Sequence, residues 1–223
     1  MKHIALLTTL LLSASLQAVE KPYDYVFFEN SLMKGDYFYS QAKYTSPSWI
    51  KNARHHLPVA GSVAFTPGNS LELTYVSAPG GDWYSEIQYC PVRGNDFFRE
   101  PSTLSLQVQL RESMDAAALP NIAIRYADST YTQYLNLRNY LKDTRPGVWH
   151  SVSIPLKDFG LNAVNDTNIK KLAAVALRPG TADGNEYTIY LDDIELLPAS
   201  LPSVSTLNAP VLQEAKAYER HIY

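Results

Sequence analysis

The sequence predicts an all-β protein, an antiparallel β-sandwich. Three observations carry this: apolar residues recur mostly with a period of two, turn-forming residues interrupt them at short, regular spacing, and no long stretch has the 3.6-residue period of an amphipathic helix. At 223 residues, with 46% hydrophobic, 12% aromatic and 18% charged residues, the chain is long enough to bury a core and too apolar to be disordered.

A leader comes before any strand. Lys2 and His3 precede an apolar run over residues 4–12, and small or polar residues lead to Ala18, the layout of a secretory signal cut after Ala18. The run is well short of the roughly 20 residues that span a bilayer, and no cysteine follows it for lipid attachment. The expectation is an exported, soluble bacterial protein, periplasmic or secreted, with no membrane insertion. The single cysteine, Cys90, forms no internal disulfide and lacks the partners of a zinc site, so stability falls to core packing.

The strands follow in order. Leu71, Leu73 and Tyr75 alternate with Glu72 and Thr74; Leu104, Leu106, Val108 and Leu110 alternate with Ser105, Gln107, Gln109 and Arg111. Ile122, Ile124 and Tyr126 give the next, then residues 131–137, 149–155, 172–177 and 187–197. Turns fall at Pro79-Gly80-Gly81, Arg93-Gly94-Asn95, Ala127-Asp128-Ser129, Pro146-Gly147 and Asp183-Gly184-Asn185, the last as a hairpin. One-turn helices fit residues 156–160 and 167–171. The module spans residues 19–197; the Pro- and Ser-rich stretch 198–210 is a linker, and 211–223 is either a frayed tail or the opening strand of a fibronectin type III-like domain.

Three segments of the C-terminal half come in a recognisable order: Gly147 and Trp149 through Pro155 to Phe159, then Ile169 to Leu177, then Tyr187 to Leu196 with Asp192-Asp193-Ile194 inside it. Together they resemble the last strands of galactose-binding-domain-like jelly rolls, a group rich in carbohydrate-binding modules that accompany polysaccharide-degrading enzymes. The resemblance implies that Trp149 is a large buried side chain, that Pro155 ends an edge strand and that Phe159 plugs the end of the sandwich. It also implies a structural calcium ion between an early acidic residue and the last strand, here Asp192 with Glu29 or Asn30. By alternation Asp192 shares a face with Tyr190, Ile194 and Leu196, so its carboxylate needs either a cation or backbone N–H donors.

Net charge is −3, with 19 basic against 22 acidic residues, which gives nucleic acid no electrostatic purchase. No nucleophile elbow, zinc-binding His pair or phosphate loop is present, and Asp192 and Asp193, adjacent on a strand, are expected on opposite faces rather than as an acid–base couple. Sugar binding asks for rings beside donors and acceptors, and 16 tyrosines supply rings. One candidate surface is an outward sheet face with Gln107, Gln109 and Arg125 beside Tyr134, Asn136 and Arg138 on a neighbouring strand. The other is loop-borne: Trp83 and Tyr84 after Pro79-Gly80-Gly81-Asp82, and Trp49 ahead of Arg54, unless Trp83 plugs the core instead. The expected function is a non-catalytic carbohydrate-binding module of an exported glycan-degrading protein, with a poly- or oligosaccharide and a neighbouring catalytic domain as partners. The alternatives are a spacer packed on that domain through an apolar patch, or a glycoside hydrolase or lyase in its own right.

Overall fold

The computed structural model describes residues 25–89, 101–161 and 171–198. Within them, β-branched and large apolar residues at alternate positions build twelve strands: β1 (Tyr25–Phe28), β2 (Ser40–Thr45), β3 (Trp49–Ile50), β4 (Val59–Ala60), β5 (Ser70–Val76), β6 (Asp82–Gln88), β7 (Pro101–Leu110), β8 (Asn121–Tyr126), β9 (Leu135–Asn136), β10 (Trp149–Pro155), β11 (Leu172–Arg178) and β12 (Glu186–Pro198). They form two antiparallel sheets. One has seven strands in the order β10-β7-β12-β5-β3, with β1 also on β12 and β4 also on β5; the other has five in the order β2-β6-β11-β8-β9. The sandwich expectation is therefore met.

The core lies between the sheets. Leu71, Leu73 and Tyr75, with Leu104, Leu106, Val108 and Leu110, face Trp83, Ile87, Ile122, Ile124, Val175 and Leu177. Tyr75 and Trp83 meet with ring centroids 4.8 Å apart, and each finds a polar partner: Tyr75 Oη donates to the Ala118 carbonyl at 3.0 Å and Trp83 Nε1 to Ser77 Oγ at 2.9 Å. Trp83 thus plugs the core. Phe159, on the one-turn helix Leu156–Phe159, closes the sandwich end beside the edge strand β10, where Pro155 ends the pairing.

Four expectations need correction. Residues 131–137 hold only the two-residue β9 and the start of a one-turn helix, because Tyr131 makes a lone bridge to Arg125 instead of continuing a ladder. Asp183-Gly184-Asn185 is no hairpin: β11 and β12 belong to opposite sheets, so the segment carries the chain across the sandwich. Trp149 is not core. On β10 the inward residues are Val152 and Ile154, which puts Trp149 on the outer face, its ring 6.0 Å from that of Phe65.

The fourth concerns β12. Ile189 and Leu191 point inward, so Tyr190 and Asp192 point outward; yet Ile194 and Leu196 are again core residues. A bulge between Asp192 and Glu195 shifts the register against β7, with Asp193 in the left-handed region at φ 45°, and the alternation changes phase there. Asp192 and Asp193 consequently lie side by side against one segment, not on opposite faces. Asp192 Oδ2 accepts from the Phe65 and Thr66 N–H groups at 2.8 and 3.1 Å, and both Asp193 carboxylate oxygens lie within 3.0 Å of the donating Thr66 hydroxyl.

Among the described residues no helix is long and apolar enough to cross a membrane. The leader, Cys90, the Arg93-Gly94-Asn95 turn, the 167–171 helix apart from Lys171, the linker beyond Pro198 and the tail lie outside the described residues.

Candidate functional site

On the outward face of the five-stranded sheet, register stacks the side chains in cross-strand rows. Gln41, Glu86, Ala176 and Ala123 form one row across β2, β6, β11 and β8; Gln88, Ala174, Arg125 and Tyr131 form the next. A third carries Lys43 and Tyr84 at one end and Arg178, Asn121 and Asn136 at the other. The alanines at 123, 174 and 176 are buried although they face away from the core.

Their cover is polar. Arg125 reaches back over β11 and places Nε 3.0 Å from Glu86 Oε1, and the Tyr131 hydroxyl donates to the same oxygen at 2.8 Å. The two charged side chains are 15% and 6% exposed, so this ion pair sits at the surface of the sheet but out of water. Three methyl-sized residues beneath are what let the long side chains lie flat. Burial, then the hydrogen bond to Glu86, pushes the Tyr131 hydroxyl up to about 12.

Beside this layer lies a pocket of about 470 Å³, walled by Ala78, Pro79, Gly80, Gly81 and Asp82 on one loop, Arg178, Pro179, Gly180 and Ala182 on the other, and Asn121 and Tyr134. Its walls are backbone by necessity. A Cβ on Gly81 would run into the Ser48 N–H, and one on Gly180 into the Leu119 carbonyl, so the loops approach their neighbours only as glycine. The Tyr134 ring stands between two partners: the Tyr131 ring, 5.9 Å away and tilted 29°, and the Arg178 guanidinium, 5.7 Å from its centroid. Its hydroxyl is sealed from solvent near the Arg178 charge without hydrogen-bond geometry, and burial raises it above an ordinary tyrosine. Arg178 in turn reaches Asp82 at 3.4 Å. A ring, a fork of N–H donors and a carboxylate therefore converge on one hollow, walled on one side by Asn121, whose amide holds the Pro179 carbonyl and Asn136; this is the kit that recognises a hydroxylated ring molecule.

The residues singled out from sequence are divided by this architecture. Arg125, Tyr134 and Tyr84 share the five-stranded face, and Tyr134 sits where that face meets the Pro79-Gly80-Gly81-Asp82 loop, joining the two candidate surfaces. Tyr84 holds Gln41 Oε1 at 3.2 Å with Lys43 over its ring. Gln107 and Gln109 lie on the other sheet, because β7 pairs with β10 and β12 rather than β8; Gln107 accepts from Ser151 and Gln109 donates to the Gly147 carbonyl. Asn136 is a structural cap, its Oδ1 taking the Arg138 N–H at 3.0 Å and its amide nitrogen serving Leu119 and Asn121, while Arg138 is exposed on the short helix that follows. Trp49 is half-buried on β3 against Val76 of β5. Trp83, inside, reaches no ligand. Sequence reasoning missed Glu86, Tyr131, Asn121 and Arg178. The alternation of Tyr84, Glu86 and Gln88 with Trp83, Ser85 and Ile87 was a usable signal for Glu86, blurred by the polar Ser85 at an inward position.

Asp192 has no exposed surface and gains three N–H donors, those of Phe65 and Thr66 together with Asp193 N at 2.8 Å. Burial, then the charge of Asp193, nonetheless pushes its carboxyl up to about 7. The segment 65–69 that embraces it also meets the early chain: Asn69 exchanges two hydrogen bonds with Ser31, and the Asn30 amide packs on Gly68, its Oδ1 buried without a donor. Glu29 lies half-buried just beyond β1.

Residues 24–197 match the family described as carbohydrate binding domain 30. The chain is 97% identical over 222 residues to an exo beta-1,2-glucooligosaccharide sophorohydrolase (non-reducing end) of Parabacteroides distasonis, a match that takes in the whole chain and 31% of that protein. A crystal structure of a beta-1,2-glucanase from the same organism superposes with a TM-score of 0.80 at 97% identity, over 85% of this chain and 27% of that one. A family 30 carbohydrate-binding module of a cellulosomal cellulase of Clostridium thermocellum, 16% identical, shares the fold with a TM-score of 0.57 over 80% of this chain and 99% of its own. The chain thus spans about a third of the relative it matches.

Proposed function

The chain belongs to the carbohydrate binding domain 30 family, and from that premise we propose that it is the non-catalytic sugar-binding module of a longer glucan-degrading protein, taking a glucan segment at the Tyr134 pocket and across the Tyr131 surface beside it. The observation that carries this is the convergence of the Tyr134 ring, Arg178 and Asp82 on a hollow whose walls are glycine-thinned backbone. The glucan is β-1,2-linked in this proposal, supported by the substrate in the name of the Parabacteroides relative. Modest affinity is enough for such a module, since a dissociation constant of ~1 mM corresponds to only about −4 kcal/mol.

Titration calorimetry with β-1,2-glucooligosaccharides, with mixed-linkage and β-1,4 glucans as comparisons, tests it. Heat with the β-1,2 ligand that disappears in a Tyr134→Ala, Arg178→Ala variant is the expected result; no heat with any of the three overturns the reading.

Two further parts are proposals of the same kind. A calcium ion held by Asp192 with Glu29 or Asn30 is supported by adjoining carboxylates at the bulge and by the donor-free Asn30 Oδ1 on the neighbouring segment. A chelator that leaves the melting temperature unchanged refutes it. Export to the periplasm or medium is supported by the leader, and a mature protein beginning at Val19 is the expected product of expression in a bacterial host.

A further inference from the structure

The outer face of the seven-stranded sheet carries a different set of side chains. Phe65 is 48% exposed and touches Trp149 edge to face. The 65–69 segment is laced to residues 31–35 through Ser31 and Asn69, and there Leu32 and Met33 are 79% and 48% exposed. Aliphatic side chains add nothing to sugar recognition, which uses flat rings and hydrogen-bonding groups, and the nearby glutamines are already engaged with Ser151 and Gly147. Exposed Leu, Met and Phe side chains together with a Trp have the composition of a protein contact.

The patch is also held rigid from below. The buried Asp192 fixes the Phe65 and Thr66 N–H groups, and Asp193 takes the Thr66 hydroxyl, so two adjacent carboxylates are spent on orienting a segment whose most prominent side chain is an exposed phenylalanine. A preorganised aromatic anchor loses little conformational entropy when it is covered, which is the property of an interface centre.

We propose that the exposed Phe65 and the Trp149 it touches, with Leu32 and Met33 on the segment tied to that of Phe65, form the surface on which this module docks against the rest of the longer protein. The relative's length supplies the occupant: a protein 97% identical over 222 residues has more than two thirds of its polypeptide outside the match. Docking here leaves the Tyr134 pocket, on the opposite sheet, open. The proposal does not depend on what that pocket binds.

Hydroxyl-radical footprinting of this chain alone, and of the full-length relative carrying this sequence at its matching segment, tests it. Met33, Phe65 and Trp149 are expected to label at least five-fold more slowly in the full-length protein, while Tyr131 labels equally in both. In full-length protein with Phe65→Ser and Trp149→Ser, Met33 regains the rate of the isolated chain; thermal melts establish that the variant is folded, and if it is not, the wild-type comparison decides alone. Equal labelling in both proteins overturns the proposal. Protection that grows with concentration in the isolated chain overturns it in favour of a second copy, and protection gained only with β-1,2-glucooligosaccharide overturns it in favour of a sugar surface.

Discussion

Replacing Arg125 by Met removes the cation from the Glu86 layer while keeping most of the side-chain bulk. The carboxylate left behind is 6% exposed and retains only the Tyr131 hydroxyl among the partners described, so the loss is that of breaking a buried ion pair, about 3–5 kcal/mol. For a module of this size each kcal/mol lowers Tm by about 2–4 °C, giving a fall of roughly 6–20 °C. Glu86→Gln in the same background removes the stranded charge while its carbonyl still accepts from Tyr131, and the double variant recovers to within about 1 kcal/mol of wild type. The assay is urea unfolding followed by tryptophan fluorescence on the wild type, both single variants and the double, with equal m-values required before the free energies are compared. A cost below 1 kcal/mol for Arg125→Met, or a double variant as unstable as the two single losses added together, would show that the pair is solvated and that the layer over the alanines is not a closed structure.

Tyr134→Ala alone weakens glucan binding by about three- to ten-fold, the worth of one ring contact, and lowers the melt by a few degrees through the lost Tyr131 and Arg178 contacts; an unchanged calorimetric constant refutes the placement of the ring in the site. Ala176→Leu wedges a side chain beneath Arg125 and Glu86 and destabilises by about 1–3 kcal/mol by overpacking, while a neutral result would mean that the polar cover lifts freely. In chelator, stability falls as pH rises from about 4 through 7. The cause is that the folded state keeps a proton on Asp192, with its carboxyl at about 7, that the unfolded chain has already released; Asp192→Asn flattens that slope, and a wild type that gains stability over the same range contradicts it.

The two sheets were legible because their strands are half-buried and antiparallel, so Leu104 to Leu110, Leu71 to Tyr75 and Ile122 to Tyr126 show their inward residues by alternation alone. What alternation cannot reveal is which strands are neighbours. Gln107 and Arg125 both face outward as expected, but pairing order sends them to opposite sides of the molecule. Trp149 departs from the buried place that the jelly-roll resemblance implies, because the parity set by Val152 and Ile154 sends it outward. Glu86 was missed because a buried carboxylate on an outward face depends on Arg125 and Tyr131, 39 and 45 residues further along, and no local pattern encodes that meeting.

The phase slip in β12 bears on how relatives of this chain are to be aligned. Apolar spacing read straight through residues 187–197 places half of the strand in the wrong frame, so a match scored on hydrophobicity alone misassigns either Leu191 or Ile194. A relative shorter by one residue at Asp193 keeps both halves of the strand in the core, but gives up the crook that grips Phe65. A relative that keeps the bulge would present the phenylalanine as a fixed stud, and one that lacks it would leave the corresponding loop untethered.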